Sequence, residues 1–149
     1  MTRIVTIATI HRPIEAVYDY VTTPGHWPAW HPSSLGVTGA TDHSLDVGEQ
    51  VRERFLVAGR RGEVVWTVTL RDAPYRWTID GKIIGGGRGG GVVSYTLARG
   101  EDGATAFTRE FSYPLPNLLF AFLDIVLIRR RITAESAEAV RRLKARLES

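Results

Sequence analysis

The hydrophobic positions of this chain change period three times, and each change marks a boundary between elements. Residues 3–10, Arg3-Ile4-Val5-Thr6-Ile7-Ala8-Thr9-Ile10, are rich in β-branched side chains and predict a strand. Ile14, Val17, Tyr18 and Val21 then recur at helical spacing. Pro13 suits a first helical turn, and Glu15 sits near the positive end of the helix dipole. Pro24-Gly25 ends that helix, and residues 27–31 predict a second short helical turn before Pro32. From there the period is two. Strands are expected over residues 35–41, 49–58, 63–72, 76–84, 91–98 and 105–113, which with the first makes seven. The links between them are short, so the pairing is expected to be antiparallel, because a parallel crossover needs a longer connection.

The last change is to a helix expected over residues 118–147, roughly 45 Å long at 1.5 Å per residue. Leu118, Phe122, Ile125, Ile132, Ser136, Val140, Leu143 and Leu147 form its inward stripe. Its first half is apolar nearly all round, with Leu119, Phe120, Leu123, Val126 and Leu127 added. Enclosure by sheet and loops, a dimer seam and a lipid-facing entrance all fit that half. The expected architecture is α+β: a curved antiparallel sheet of about seven strands wrapped around a long C-terminal helix. Two short helices follow the first strand, and residues 1–149 form one domain.

Composition narrows the classes. Apolar residues are 44% and charged residues 23%, as in an ordinary globular chain. There is no cysteine, so disulfides, thiolate metal ligands and a cysteine nucleophile are excluded. That fits a reducing, cytoplasmic setting. The net charge is +3, with the arginines scattered apart from Arg129-Arg130-Arg131 and Arg141-Arg142. No nucleic-acid partner is expected from such scatter. The amino terminus lacks the apolar core of a leader, and the longest apolar run contains Asp124 and is too short to span a bilayer. A transmembrane segment is not expected, whereas peripheral lipid contact stays open.

Alternation along the strands assigns an inner face. Val64, Trp66, Val68 and Leu70 share one side; so do Tyr75, Trp77 and Ile79; so do Val93, Tyr95 and Leu97; and so do Phe107, Arg109, Phe111 and Tyr113. If Val51, Phe55 and Val57 face inward, Glu53 does too. A packed aromatic core and an aromatic cavity wall look alike in sequence. Glu53 and Arg109 separate them, because an inward charge is costly unless it is paired or wet. They are expected to face a hydrated cavity, either paired with each other or orienting a polar ligand group.

Other motifs are weaker. His26 and His31 bracket the tryptophan turn, and no histidine spacing supports a metal, so none is expected. His31, beside Trp30, reads as a loop histidine bonded locally, or else as an acid or base at a cavity mouth. Residues 85–91 contain a formal GxGxxG, but a strand follows where a dinucleotide site needs a helix. The run is read as a hairpin tip, a gate or a disordered loop, and no cofactor is expected. There is no GxSxG elbow either.

The stretch Pro13-Ile14-Glu15-Ala16-Val17-Tyr18-Asp19-Tyr20-Val21, followed by Trp27-Pro28-Ala29-Trp30, resembles the opening of the START-related, birch-pollen-allergen-like superfamily. The texture is closest to its polyketide cyclase/dehydrase and lipid-transport branch. The resemblance implies a helix-grip fold with a hydrophobic cavity between sheet and long helix, and it carries no shared catalytic motif. The expected function is binding of a hydrophobic small molecule of lipid, polyketide or isoprenoid type. The expected ligand-binding residues are Trp30, Glu53, Phe55, Trp66 and Trp77 from the first half of the chain. Tyr95, Arg109, Phe111, Tyr113 and Phe122 come from the second. The alternative is a cyclase, aromatase or dehydratase in which Tyr95, Arg109 or His31 handles protons. A third reading is a protein-interaction module using the apolar half of the last helix, as a monomer or a homodimer.

Overall fold

The computed structural model describes residues 2–57, 59–85, 89–114 and 127–149. Strand β1 (Thr2–Ile10) leads into helix α1 (Ile14–Val21), a 3-10 turn (Pro24–His26) and helix α2 (Trp27–Trp30). Strands β2 (Ser34–Gly39), β3 (Gln50–Val57), β4 (Arg60–Asp72), β5 (Arg76–Ile84), β6 (Gly90–Arg99) and β7 (Thr105–Tyr113) follow. Helix α3 (Arg129–Glu148) closes the chain. The sheet has seven antiparallel strands in the order β1-β7-β6-β5-β4-β3-β2. Among the described strands β2 to β7 pair in chain order, as short antiparallel connections allow, and β1 pairs with β7.

The helices attach to one face of that sheet, which gives the helix-grip arrangement. In α1 the periodic residues Ile14, Val17, Tyr18 and Val21 are all buried. Each contributes roughly 1.5–3 kcal/mol of burial. The Tyr18 hydroxyl donates to the Arg76 carbonyl at 3.0 Å and ties α1 to β5. In α3 the expected inward residues Ile132, Ser136, Val140, Leu143 and Leu147 are buried, together with Ala139. Its far end is held to the end of β1 and the connection that follows: Lys144 Nζ donates to the Thr9 carbonyl and the His11 amide donates to Glu148. The first part of the expected last helix, residues 118–126, lies outside the described residues, as do Gly86, Gly87 and Arg88 of the glycine run. The interaction reading rested on that part together with Leu127, which is exposed.

Two expectations about faces are corrected. Leu70 does not share a side with Trp66 and Val68, because a bulge falls between Val68 and Leu70. Beyond it Leu70 pairs with Thr78, on the outer face, and Arg71 pairs with Trp77 on the inner one. Tyr75 does not lie on the inner face of β5. It sits in the preceding turn, 41% exposed, and its hydroxyl accepts a hydrogen bond from Arg99 Nη1.

Candidate functional site

The register of the sheet brings the inward polar residues to one place. Trp77 lies opposite Tyr95, and Tyr95 lies opposite Arg109, so three large side chains stand in a row across β5, β6 and β7. On β3 and β4, Val51 lies opposite Trp66 and Glu53 opposite Val64. Glu53 and Trp66 are therefore diagonal neighbours, and the Trp66 indole N–H donates to Glu53 Oε1 at 3.0 Å.

Between these strands and α3 lies a cavity of about 260 Å³. Its apolar wall includes Phe55, Val57, Val64, Trp66, Ile83, Val93, Phe111, Tyr113 and, from α3, Ile132. Its polar groups are His31, Ser33, Glu53, Arg109, Glu135 and Ser136. A smaller compartment of about 40 Å³ adjoins it, walled by Trp27, Trp30, His31, Glu53, Trp66, Ile79, Val93, Tyr95 and Arg109. The wall has room for its rings because glycines face them. A Cβ built on Gly62 would stand 2.5 Å from the Phe55 ring, one on Gly81 2.5 Å from Trp66, and one on Gly91 2.6 Å from Phe111. Glycine inside a strand commonly marks such a close approach.

Arg109 is 6% exposed. Its Nη1 donates to Ser136 Oγ on α3 at 3.1 Å, and its Nη2 lies 3.0 Å from His31 Nε2. Its guanidinium also stands 5.7 Å from the centre of the Phe111 ring. His31 Nδ1 accepts from the Ser33 amide at 3.1 Å. The local bond expected of this histidine is present, but the other ring nitrogen reaches the cavity, which the reading as a local loop residue missed. Burial first, then the Arg109 and Arg142 charges, hold His31 well below its ordinary value. Burial likewise raises Glu53 and lowers Arg109, and it pushes the Tyr95 phenol up to about 12. Ser34 stands near enough to Glu53 to favour its charged form, although its hydroxyl makes no hydrogen bond of good geometry.

Of the expected site residues, Glu53, Phe55, Trp66, Arg109, Phe111 and Tyr113 line the larger cavity, and Trp30 and Tyr95 the smaller compartment. Trp77 lines neither. It is fully buried, stacks on Tyr95 at 5.5 Å and donates its indole N–H to the Leu45 carbonyl, so it supports the wall from behind. Phe122 lies outside the described residues. Glu53 and Arg109 both face the cavity, yet no ion pair joins them among the described residues. The expectation did not include Ser136, Ile132, Ser33 and Glu135. They reach the cavity from α3 and the α2–β2 loop, and Ser33 Oγ donates to Glu135 Oε2 at 3.2 Å. Ser136 carried a legible signal, as the polar member of the inward stripe. Among the described residues no group of three or more histidines or acids is placed to hold a metal ion. Nor is any helix among them long and apolar enough to cross a membrane.

A family model described as polyketide cyclase / dehydrase and lipid transport matches residues 1–148. No curated protein matches the sequence. Among solved structures, a Thermus thermophilus protein superposes with a TM-score of 0.75 at 13% identity, covering 98% of this chain and 97% of that one. A Chromobacterium violaceum protein gives 0.72 at 17% identity, covering 100% and 99%. DynU16, a protein in the dynemicin biosynthetic locus, gives 0.69 at 20% identity and covers 99% of this chain but 47% of its own. This chain therefore spans about half the length of the dynemicin-locus protein. At such identities the likeness establishes the fold alone.

Proposed function

This chain belongs to the polyketide cyclase/dehydrase and lipid transport family, and from that premise we propose that it binds a hydrophobic small molecule between the sheet and α3. The observation that carries the reading is the cavity itself: about 260 Å³ of space with a largely apolar and aromatic wall and one polar corner. Ligand sites have this make-up, in which burial of apolar surface supplies affinity and a few fixed polar groups supply orientation. A lipid, a polyketide or an isoprenoid-like compound each has the required shape of greasy body and polar end.

The polar corner favours binding over turnover. A general base needs a free lone pair near the reacting proton. Both ring nitrogens of His31 are approached by protein donors, Ser33 N and Arg109 Nη2. Tyr95, raised to about 12, stays protonated near neutrality and serves as a hydroxyl rather than a phenolate. A cyclase or dehydratase on the same cavity remains the competing reading, because the family includes such enzymes and the cavity can fold a flexible chain.

Native mass spectrometry of the purified protein, with an organic extract of the same sample, tests the proposal. A co-purifying apolar compound is expected, and Trp66→Leu should abolish its retention while leaving the circular dichroism of the folded chain intact. Retention undiminished by Trp66→Leu would count against this cavity as the site. Conversion of a polyketide-like compound that stops with Arg109→Gln, while binding persists, would replace the carrier reading by the enzyme one.

A further inference from the structure

The polar corner holds buried hydrogen-bond donors that meet no acceptor. Trp30 is fully buried and its indole Nε1–H has no partner. Arg109 is 6% exposed and its Nε–H has none either. Both residues wall the same small compartment. His31 adds a third unmet donor. A neutral imidazole has one accepting nitrogen and one N–H. Yet the Ser33 amide approaches Nδ1 at 3.1 Å and the Arg109 guanidinium approaches Nε2 at 3.0 Å, and neither group can accept. In either tautomer one of these two donors therefore faces another N–H. Protonation would leave both facing N–H groups.

Charge points the same way. No ion pair among the described residues includes Arg109, although its guanidinium is buried. Unpaired buried donors are rare in folded proteins, and an uncompensated buried charge is costly. Glu53 makes no ion pair with Arg109; one of its oxygens accepts the Trp66 indole N–H, and burial favours its neutral form.

We infer that the cavity is built for an apolar ligand that ends in a carboxylate, whose oxygens take the unmet N–H groups of Trp30 and Arg109. This rests on the binding reading above and adds the chemistry of the ligand's polar end. A neutral alcohol brings too few acceptors and no charge. An amine brings donors to a corner whose own donors are unmet. The compartment of about 40 Å³ has room for a single small group at the end of the larger cavity, whose apolar wall then covers the chain. It also has room for an ordered water, which is the competing occupant.

Calorimetric titration with octanoate, octanol and octylamine, three probes that share one apolar chain, tests the assignment. Octanoate is expected to bind tighter than octanol by about tenfold or more, the usual value of a hydrogen bond to a charged group, and octylamine to bind weakest. Trp30→Phe removes the indole N–H and keeps a ring. It should weaken octanoate several-fold and leave octanol unchanged. Arg109→Gln should erase the preference for the acid. Octanol binding as tightly as octanoate to the unaltered protein would overturn the inference, assign the corner to water and leave the cavity reading standing. A preference for octanoate that survives both substitutions would also overturn it, by placing the acid at another arginine. Failure of all three probes on folded protein would remove both readings together.

Discussion

His31 and Glu53 sit in the same corner, and burial drives them toward neutrality from opposite sides. For His31 the native value lies well below 6.5, so below 6.5 the unfolded chain takes up a proton that the native chain refuses. Its contribution to stability therefore falls as the pH drops through 6.5. For Glu53 the native value lies above 4.5, so there the native chain keeps a proton that the unfolded chain releases. That contribution is complete below 4.5 and is lost as the pH rises through the raised native value. Between 4.5 and 6.5 the two effects oppose each other. His31→Asn is expected to remove the acid-side loss and Glu53→Gln to steepen it. Denaturant midpoints measured across that interval check both signs. Three parallel profiles would show that the corner titrates outside this interval or not at all.

The strands of the wall depend on small residues as much as on large ones. A methyl group on Gly81 would meet the Trp66 ring at 2.5 Å and Val64 Cγ2 at 2.9 Å, so both side chains would have to shift toward the cavity they line. Overpacking of this kind costs typically 1–3 kcal/mol. Gly81→Ala should lower stability by about that amount and displace the Trp66 indole from Glu53. A fluorescence spectrum of Trp66 unchanged in the variant would contradict this, given a background in which the other three tryptophans are replaced. Helix α3 makes a contrasting case. Leu143 is fully buried and does not line the cavity, whereas Ile132 is buried and lines it. Leu143→Ala should cost about 2–5 kcal/mol without changing ligand affinity. Ile132→Ala should change affinity as well. Equilibrium unfolding and titration of the same pair of variants separate the two roles.

At the scale of the whole molecule the sheet and helix enclose a space that neither fills alone. A ligand that enters it binds the native chain and not the unfolded one, so stability and occupancy are linked. At a hundredfold excess over the dissociation constant the gain is about 2.7 kcal/mol. For a chain of this size that raises the unfolding temperature on the order of 5–10 °C. Thermal melts with increasing octanoate should show the rise, and Trp66→Leu should abolish it. A melt that does not move at saturating octanoate would mean that the acid binds native and unfolded chains alike.

Much of the fold was legible because it is written in period. The seven strands, the short helices and the buried stripe from Ile132 to Leu147 follow from apolar spacing, and short links allowed only antiparallel pairing. Alternation also put Glu53 and Arg109 on the inner face, where the structure places them. Spacing carries no register, however. The bulge after Val68 turned Leu70 outward, and a turn took Tyr75 off its strand. Trp77 and Trp66 look alike in sequence, yet one is walled in behind Tyr95 and the other lines open space. Which of two inward rings meets a cavity depends on what packs in front of it. The meeting of Arg109 with His31 and Ser136 likewise joins residues 78 and 27 positions apart. The sequence by itself determined which faces are apolar and which charges face inward. Only tertiary packing decided which inward donors find acceptors and which are left for a ligand, because hydrogen bonding between distant elements depends on positions that no local pattern encodes.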